Sequence, residues 1–494
     1  MTSHRPPARP PARASARSAA RSPARSPARS ARLALTTLAL LALGGCTTLR
    51  PDAGFGALEE AAQSRLGKQI TWARNDADQD RIDARVAQLL ARPLQAEDAV
   101  QIALLNNRGL QAAFSELGIS EADRVQAGRL PNPGLRLGRL RQGDDLEIDR
   151  SLQFNLARLL WLPQVNALEM RRFEQARGAV LGTLLALAAD TRSAYYGALA
   201  ADETVRYMGQ VQSAAEAGAE LARRQALAGN WNRLQQAREQ SFYADAALGA
   251  VRAEQARGAA RERLTRLLGL WGAQTDFRLP ERLPDLPPAA KELPDIEQTA
   301  MAQRLDVQAA RQGAEQVARQ LGLTRRTRFV NVLELGVVQN SYSNAPAQRG
   351  YEISVELPLF DWGEARVAKA EAVYMQALHR AAETAVNARS EVRLAYAAYR
   401  SSYDIAKHFR DEIVPLKKRI SEENLLRYNG MLIGVFELLA DARSQIAGVN
   451  AAIDALRDFW IAQADLDMAL VGKPNLAGAS ALTATSAESG GAGH

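Results

Sequence analysis

The chain has 494 residues, 47% of them hydrophobic and 24% charged, the balance of a folded chain rather than a disordered or collagen-like one. A single cysteine excludes an internal disulfide framework, and the four scattered histidines exclude a histidine-built metal centre. The net charge of +7 is no nucleic-acid signal, because the first 45 residues hold eight arginines and no acid, without which the formal charge is −1.

Residues 1–32 are a Pro/Arg/Ser/Ala tract in which no core can form. Leu33 to Leu43 is apolar, with the length of a signal-peptide core and too short to span a membrane. It ends in Leu43-Gly44-Gly45-Cys46-Thr47, which resembles the lipobox of bacterial lipoproteins. That resemblance implies cleavage after residue 45 and lipidation, palmitate included, at Cys46. Thr47 in place of an aspartate implies the outer rather than the inner membrane. The alternative is an ordinary signal peptide with a chance cysteine. No later stretch of 18 apolar residues occurs, so no transmembrane helix is expected.

Residues 46–93 read as a polar connector with some helical pattern, and 94–283 as a first structural repeat. Leu94 to Gly128 is predicted as one helix, with Glu97 and Asp98 suited to its first turn. Leu130-Pro131-Asn132-Pro133-Gly134 ends it. The period then changes to two. Leu146, Ile148, Leu152, Phe154 and Leu156 alternate with Glu147, Asp149, Ser151, Gln153 and Asn155. With the weaker strand at 135–141 and the turn Gln142-Gly143-Asp144-Asp145, this predicts a β-hairpin over 134–157. A helical hairpin follows over 164–270, with its tip at Gly229-Asn230-Trp231.

Five prolines fall between Trp271 and Pro294, and the linker is set at 284–294. The pattern then repeats over 295–471. Val307-Gln308-Ala309-Ala310 matches Leu110-Gln111-Ala112-Ala113 at an offset of 197, and Val332 to Leu335 falls on Leu135 to Gly138 at the same offset. Tyr351, Ile353, Val355 and Leu357 alternate with polar residues, giving a second β-hairpin over 329–359. The last helical hairpin, 364–470, has arms of about 95 and 55 Å at 1.5 Å per residue. Ala385, Ala388, Val392, Ala395 and Tyr399 on one arm, and Leu439, Ala442, Ile446, Val449, Ile453, Leu456 and Trp460 on the other, follow three-four spacing. This is coiled-coil periodicity, with an ordinary antiparallel helix pair as the alternative. Residues 472–494, rich in Gly, Ala and Ser, are expected to be a disordered tail. The fold class is mainly α with a small β part, built as a tandem repeat.

The strand count has a consequence. Four strands of nine to eleven residues with one apolar face suit a membrane barrel, but the smallest barrels need about eight. Open edges are not tolerated in lipid, so three chains giving twelve strands would close the sheet. The alternative is that the hairpins form small soluble sheets. No nucleophile motif, metal-ligand cluster or phosphate-binding loop points to an enzyme or to a cofactor.

This layout, over about Leu94 to Leu470, resembles the TolC family of outer-membrane efflux channels. The resemblance is carried by Leu130-Pro131-Asn132-Pro133, by Leu357-Pro358-Leu359-Phe360-Asp361-Trp362-Gly363, and by Arg427-Tyr428-Asn429-Gly430 with Val435-Phe436-Glu437-Leu438-Leu439. It implies a homotrimer with a twelve-stranded barrel in the outer membrane, continued by an α-helical barrel in the periplasm. It also implies a periplasmic adaptor and an inner-membrane pump as partners, with the tip turns (Gly229, Asn230, Gly430, Gly434) as adaptor-docking points. A periplasmic coiled-coil scaffold or an adaptor lipoprotein without a pore is the alternative, and neither needs two amphipathic β-hairpins.

In the family, charges at the tips close the tunnel. Arg427 and Tyr428 fall on the family's Arg-Tyr, and Glu437 on its first acidic position. Asp441 lies one residue past the second, where Ala440 stands. The family's tip arginine is replaced by Ile433, and the acidic position of the first tip by Arg233. The usual gate bond is therefore absent, and a contact between Arg233 and Glu437 is expected in its place. The alternative leaves all these charges as solvated surface. Glu437 and Asp441 share a helix face, and three copies would form an acidic ring that favours cations.

Overall fold

The computed structural model describes residues 49–50, 52–327, 333–355 and 359–474. Cys46, the whole of 1–45 and residues 475–494 of the expected tail lie outside the described residues.

The stretch read as a connector holds two helices that join the core. α1 (Phe55–Leu66) buries Phe55, Leu58 and Ala62, and α2 (Asp76–Leu90) buries Ile82, Val86 and Leu89. Their apolar residues recur every three or four positions, which is enough for a one-sided helix even in a polar stretch. The helix expected over 94–128 is two helices, α3 (Ala96–Asn106) and α4 (Arg108–Ala127). Asn107 is extended (ψ 118°), and its side chain caps α4 by accepting from the Leu110 N–H at 3.0 Å.

β1 (Gly134–Gln142) and β2 (Asp145–Asn155) form the first β-hairpin. Gly143 at its turn has φ 61°, a conformation that glycine adopts without steric cost. α5 (Leu156–Leu227) starts at the end of β2, not at Gln164 as the sequence suggested. Asn155 caps it, and Pro163 is carried inside the helix at the cost of one backbone hydrogen bond. Its 72 residues make a rod of about 108 Å. α6 (Arg233–Leu268) returns along it.

The proline-rich segment after α6 is pinned rather than loose. It buries Phe277, Leu283 and Leu286, and its carbonyls at Pro284 and Pro288 accept from Trp460 Nε1 (3.0 Å) and Tyr403 Oη (2.9 Å). The element order then recurs: α7 (Ile296–Gln303), α8 (Leu305–Thr327), β3 (Leu333–Tyr342), β4 (Gln348–Val355), α9 (Glu364–His408), α10 (Val414–Asn429) and α11 (Val435–Val471). The first arm of the last hairpin is thus not one helix. A π-turn, Phe409–Ile413, separates α9 from α10, with the Val414 N–H donating to the Phe409 carbonyl. Pro415 explains the site: it has no N–H to offer the carbonyl four residues back, and a wider turn just before it relieves its ring.

Ala388, Val392, Ala395 and Tyr399 are buried as the periodicity requires. On α11 only Ile453 of the expected stripe is buried, while Ala455, Phe459, Leu466 and Ala469 beside it are. This helix packs against both α9 and α5, so its buried surface is wider than one seam. The main core joins α1–α4 to the middle of α5 and the end of α6. A second core, around Tyr399, Tyr403 and Phe459, joins α9 to α11. No described helix is long and apolar enough to cross a membrane.

Candidate functional site

The four strands form one antiparallel sheet in the order β1-β2-β3-β4, so β1 and β4 each keep an unpaired edge among the described residues. Directly paired residues share a face. The pairs Leu135–Leu152–Val337–Tyr351 and Phe154–Leu335–Ile353 therefore lie on one face, which is apolar next to the helices. Leu135, Leu137, Val337, Tyr351, Ile353 and Val355 are each more than half exposed on it. The opposite face carries Gln153, Ser151, Asp149, Glu147 and Asp145 of β2, with Glu334 and Asn340 of β3 and Glu352 of β4. Asp149 Oδ1, Ser151 Oγ and Asn340 Oδ1 are buried there without a hydrogen-bond partner, as befits groups that meet water or a neighbouring chain. Apolar side chains turned outward from one face of an open-edged sheet, with polar groups on the other, are the surface division of a membrane barrel wall.

The helical hairpins end in two unlike turns. At the first, Gly229 takes φ 78° and Asn230 Nδ2 donates to Gln225 Oε1 at 2.9 Å. Asn232 then opens α6 with a full capping box: its side chain accepts from the Gln235 N–H, and the Gln235 side chain accepts from the Asn232 N–H, both at 2.9 Å. At the second, neither Gly430 (φ −79°) nor Gly434 (φ −85°) needs to be glycine, and the left-handed residue is Met431 (φ 61°). Met431 and Leu432 are almost fully exposed, so this tip presents apolar surface.

The charged residues singled out in the sequence all lie near these tips. Arg233 is the first residue of α6, Arg427 and Tyr428 are in the last turn of α10, and Glu437 is in the first turn of α11. Arg233, Arg427 and Glu437 are exposed, while Tyr428 and Ile433 are half-buried. Within one chain no ion pair joins Arg233 to Glu437 among the described residues. Asp441, one turn beyond Glu437, has Oδ2 buried without a partner.

Three ionisable sets escaped the sequence reading. Glu239 on α6 is buried, and loss of hydration pushes its carboxyl above the usual range against the opposing charge of Arg443 on α11. That guanidinium lies 4.4 Å over the Phe242 ring. Nearer the far end of α11, burial raises Asp465 to about 6, reinforced by Asp190 of α5 and opposed by Arg263 of α6. The third set is Arg304, 1% exposed between α7 and α8, with Nη2 2.7 Å from Asp306 Oδ2 and 2.6 Å from Glu391 Oε2. The repeat offset of 197, which maps Asn107 onto Arg304, was the available signal for it. No group of three metal-capable side chains occurs among the described residues.

No family model and no curated protein matches the sequence. Solved structures do match. The outer-membrane channel OprN shares 18% identity over 86% of this chain and 96% of its own, with a TM-score of 0.65. The CmeC outer-membrane channel of Campylobacter jejuni shares 17% identity over 79% of this chain and 88% of its own, again with a TM-score of 0.65. The open-state MtrE outer-membrane channel of Neisseria gonorrhoeae shares 20% identity over 76% of this chain and 89% of its own, with a TM-score of 0.63. The chain has the fold of these structures.

Proposed function

We propose that the chain is a TolC-family outer-membrane channel subunit, one third of a conduit from the periplasm to the exterior in a tripartite efflux or secretion system. The observation that carries this is the open-edged, four-stranded sheet with an exposed apolar face, set on helical hairpins of about 100 Å. Three copies supply twelve strands, pair every β1 edge with a β4 edge and leave no backbone group unsatisfied in lipid. The same symmetry gathers the hairpins into a tube. The likeness to channel structures supports this over a pore-less scaffold or adaptor.

The partners in this reading are a periplasmic adaptor, met by the turns at Gly229-Asn230 and Gly430 to Gly434, and an inner-membrane pump. The apolar crown of Met431 and Leu432 suits such docking. Cys46 is the proposed lipid anchor, tested by mass spectrometry of the mature N-terminus with and without Cys46→Ser. Arg233, Arg427, Glu437 and Asp441 are the proposed gate, closed by contacts between chains. The unpaired Asp441 carboxylate oxygen supports this, because a donor from a neighbouring chain would satisfy it.

The test is single-channel recording in planar bilayers, with trimer mass measured on the same sample. Small cation-selective currents that enlarge or lose selectivity in Glu437→Ala/Asp441→Ala are expected. A water-soluble monomer that never conducts would overturn the reading.

A further inference from the structure

The sheet carries ten charged residues, and its register sorts them by sign. All five acids, Asp145, Glu147, Asp149, Glu334 and Glu352, lie on the polar face together with Arg136. The other four, Arg139, Arg141, Arg150 and Arg349, lie on the apolar face, and every one is exposed. None of these four has a carboxylate partner among the described residues. Arg150 donates to Ser341 Oγ at 3.1 Å and Arg141 Nε to the Gly143 carbonyl at 3.1 Å, both neutral acceptors.

Their height along the sheet is equally uneven. The three cross-strand rows nearest the helices, Leu333–Val355, Phe154–Leu335–Ile353 and Leu135–Leu152–Val337–Tyr351, are wholly apolar. The next row outward is Leu137–Arg150–Gln339–Arg349, followed by Arg139–Ile148–Ser341 and then Arg141 with Leu146. Rows on one face are about 6.8 Å apart, so the arginines begin one row above the apolar belt and continue to the hairpin turn. A guanidinium facing hydrocarbon is costly at the bilayer midplane and nearly free at its surface, to which the long arginine stem reaches. Arg150 and Arg349 flank Gln339 on alternate strands, about 9.6 Å apart. Like charges so placed repel, and an anion held between them relieves that repulsion.

We infer that the outward face of the sheet, at its end remote from the helices, is a binding band for net-anionic, phosphate-bearing lipid headgroups of the outer leaflet. Arginine suits this role because its planar fork donates two parallel hydrogen bonds to a phosphate. In a trimer the band would ring the barrel just above its apolar belt. The inference rests on the barrel reading, which places the helices in the periplasm and the hairpin turns outside.

The test uses the full-length trimer in nanodiscs of phosphatidylcholine alone, or with a minor fraction of diphosphoryl lipid A or of phosphatidylglycerol. Lipid retained by the trimer is read by native mass spectrometry. Preferential retention of lipid A is expected, falling about fivefold for each arginine lost in Arg150→Gln/Arg349→Gln and in Arg139→Gln/Arg141→Gln. Arg150→Lys/Arg349→Lys should keep part of it, and Glu147→Gln/Glu352→Gln all of it. Retention of phosphatidylglycerol equal to that of lipid A also supports the inference and shows that charge alone is read. Conducting trimers that retain both anionic lipids equally in wild type and in the two pairwise glutamine variants overturn it and leave the channel intact. A chain that enters no bilayer overturns both. The two pairs are read separately, so a pair that fails to assemble leaves the other to decide.

Discussion

Where α3 gives way to α4, the amides of Asn106 and Asn107 donate to the carbonyls of Leu268, Gly269 and Leu267 at 3.1, 2.7 and 2.9 Å, closing the end of the returning helix α6. Where α7 gives way to α8, the guanidinium of Arg304 reaches the Ala469 carbonyl of α11 at 3.3 Å and is itself held by Asp306 and Glu391. Both junctions do the same work, supplying donors to carbonyls that a helix end leaves without partners. The difference lies in what each helix end brings. α6 ends in a left-handed Gly269 (φ 67°), with the Leu270 N–H bonded to the Thr265 carbonyl and the Gly269 N–H to that of Arg266. α11 ends at Gly472 with φ −167°, extended backbone with no such wrap. A helix that caps itself needs only amides from its neighbour. One that does not has recruited a buried charge, together with the two carboxylates required to keep it there.

The contrast can be broken most severely at Arg304. Arg304→Met should cost about 3–5 kcal/mol in chemical denaturation, because it strands two carboxylates at a half-buried site. Arg304→Met/Glu391→Met should recover part of that loss, and a cost below about 1 kcal/mol would show that the cluster is solvated. Next comes Gly269→Ala, at about 2 kcal/mol. The residue is left-handed, and a Cβ would lie 2.7 Å from the Asn106 carbonyl oxygen. Gly472→Ala, in extended backbone beside the mobile end of Met468, should cost much less, and equal costs would remove the asymmetry.

Charge in the second repeat also makes its stability depend on pH. Asp465 titrates at about 6 in the folded chain, above its ordinary 3.8, so folding is opposed by this group once it ionises. Its contribution is most favourable below about pH 4 and is lost as pH rises through 6. Asp465→Asn should therefore stabilise the fold at pH 7.5 but not at pH 4, by on the order of 1–2 kcal/mol after solvent screening, as read from chemical denaturation at the two pH values. A smaller effect is expected at the first tip, where Asn232→Ala removes the side-chain half of the capping box, the bond accepted from the Gln235 N–H, for about 1 kcal/mol. The second tip has no such box to lose, and Met431→Gly there should stabilise by a similar amount as the left-handed strain is relieved.

Much of this was visible in the residues themselves. The alternation from Leu146 to Leu156 specified a strand with two unlike faces, and Arg150, the one break in its apolar series, placed a charge on the apolar face. The offset of 197 marked the repeat. The break at Asn107 was passed over because the apolar period runs through it and no proline announces it, although Asn107 is a favoured N-cap and Gly109 follows two residues later. Pro163 misled in the opposite sense, since a proline near the start of a very long helix is outvoted by the packing of the rest. The half-buried partners of Arg304 lie at very different separations along the chain, Asp306 two residues on and Glu391 on another helix, and only the fold brings them together.

The π-turn between α9 and α10 is a shift of reading frame in three dimensions. Before it, Val392, Tyr399 and Ala406 face the core at intervals of seven; after it, Val414, Ser421 and Tyr428 are half-buried at the same interval, with eight residues across the join. One extra residue in the turn sets back the phase of everything that follows by about 100° relative to an unbroken helix. Leu416, Ile420 and Leu426 are consequently left exposed on the outer third of the arm. The azimuth of that apolar edge, and so the neighbour it can address, is set at Phe409–Ile413 rather than by the residues that form it.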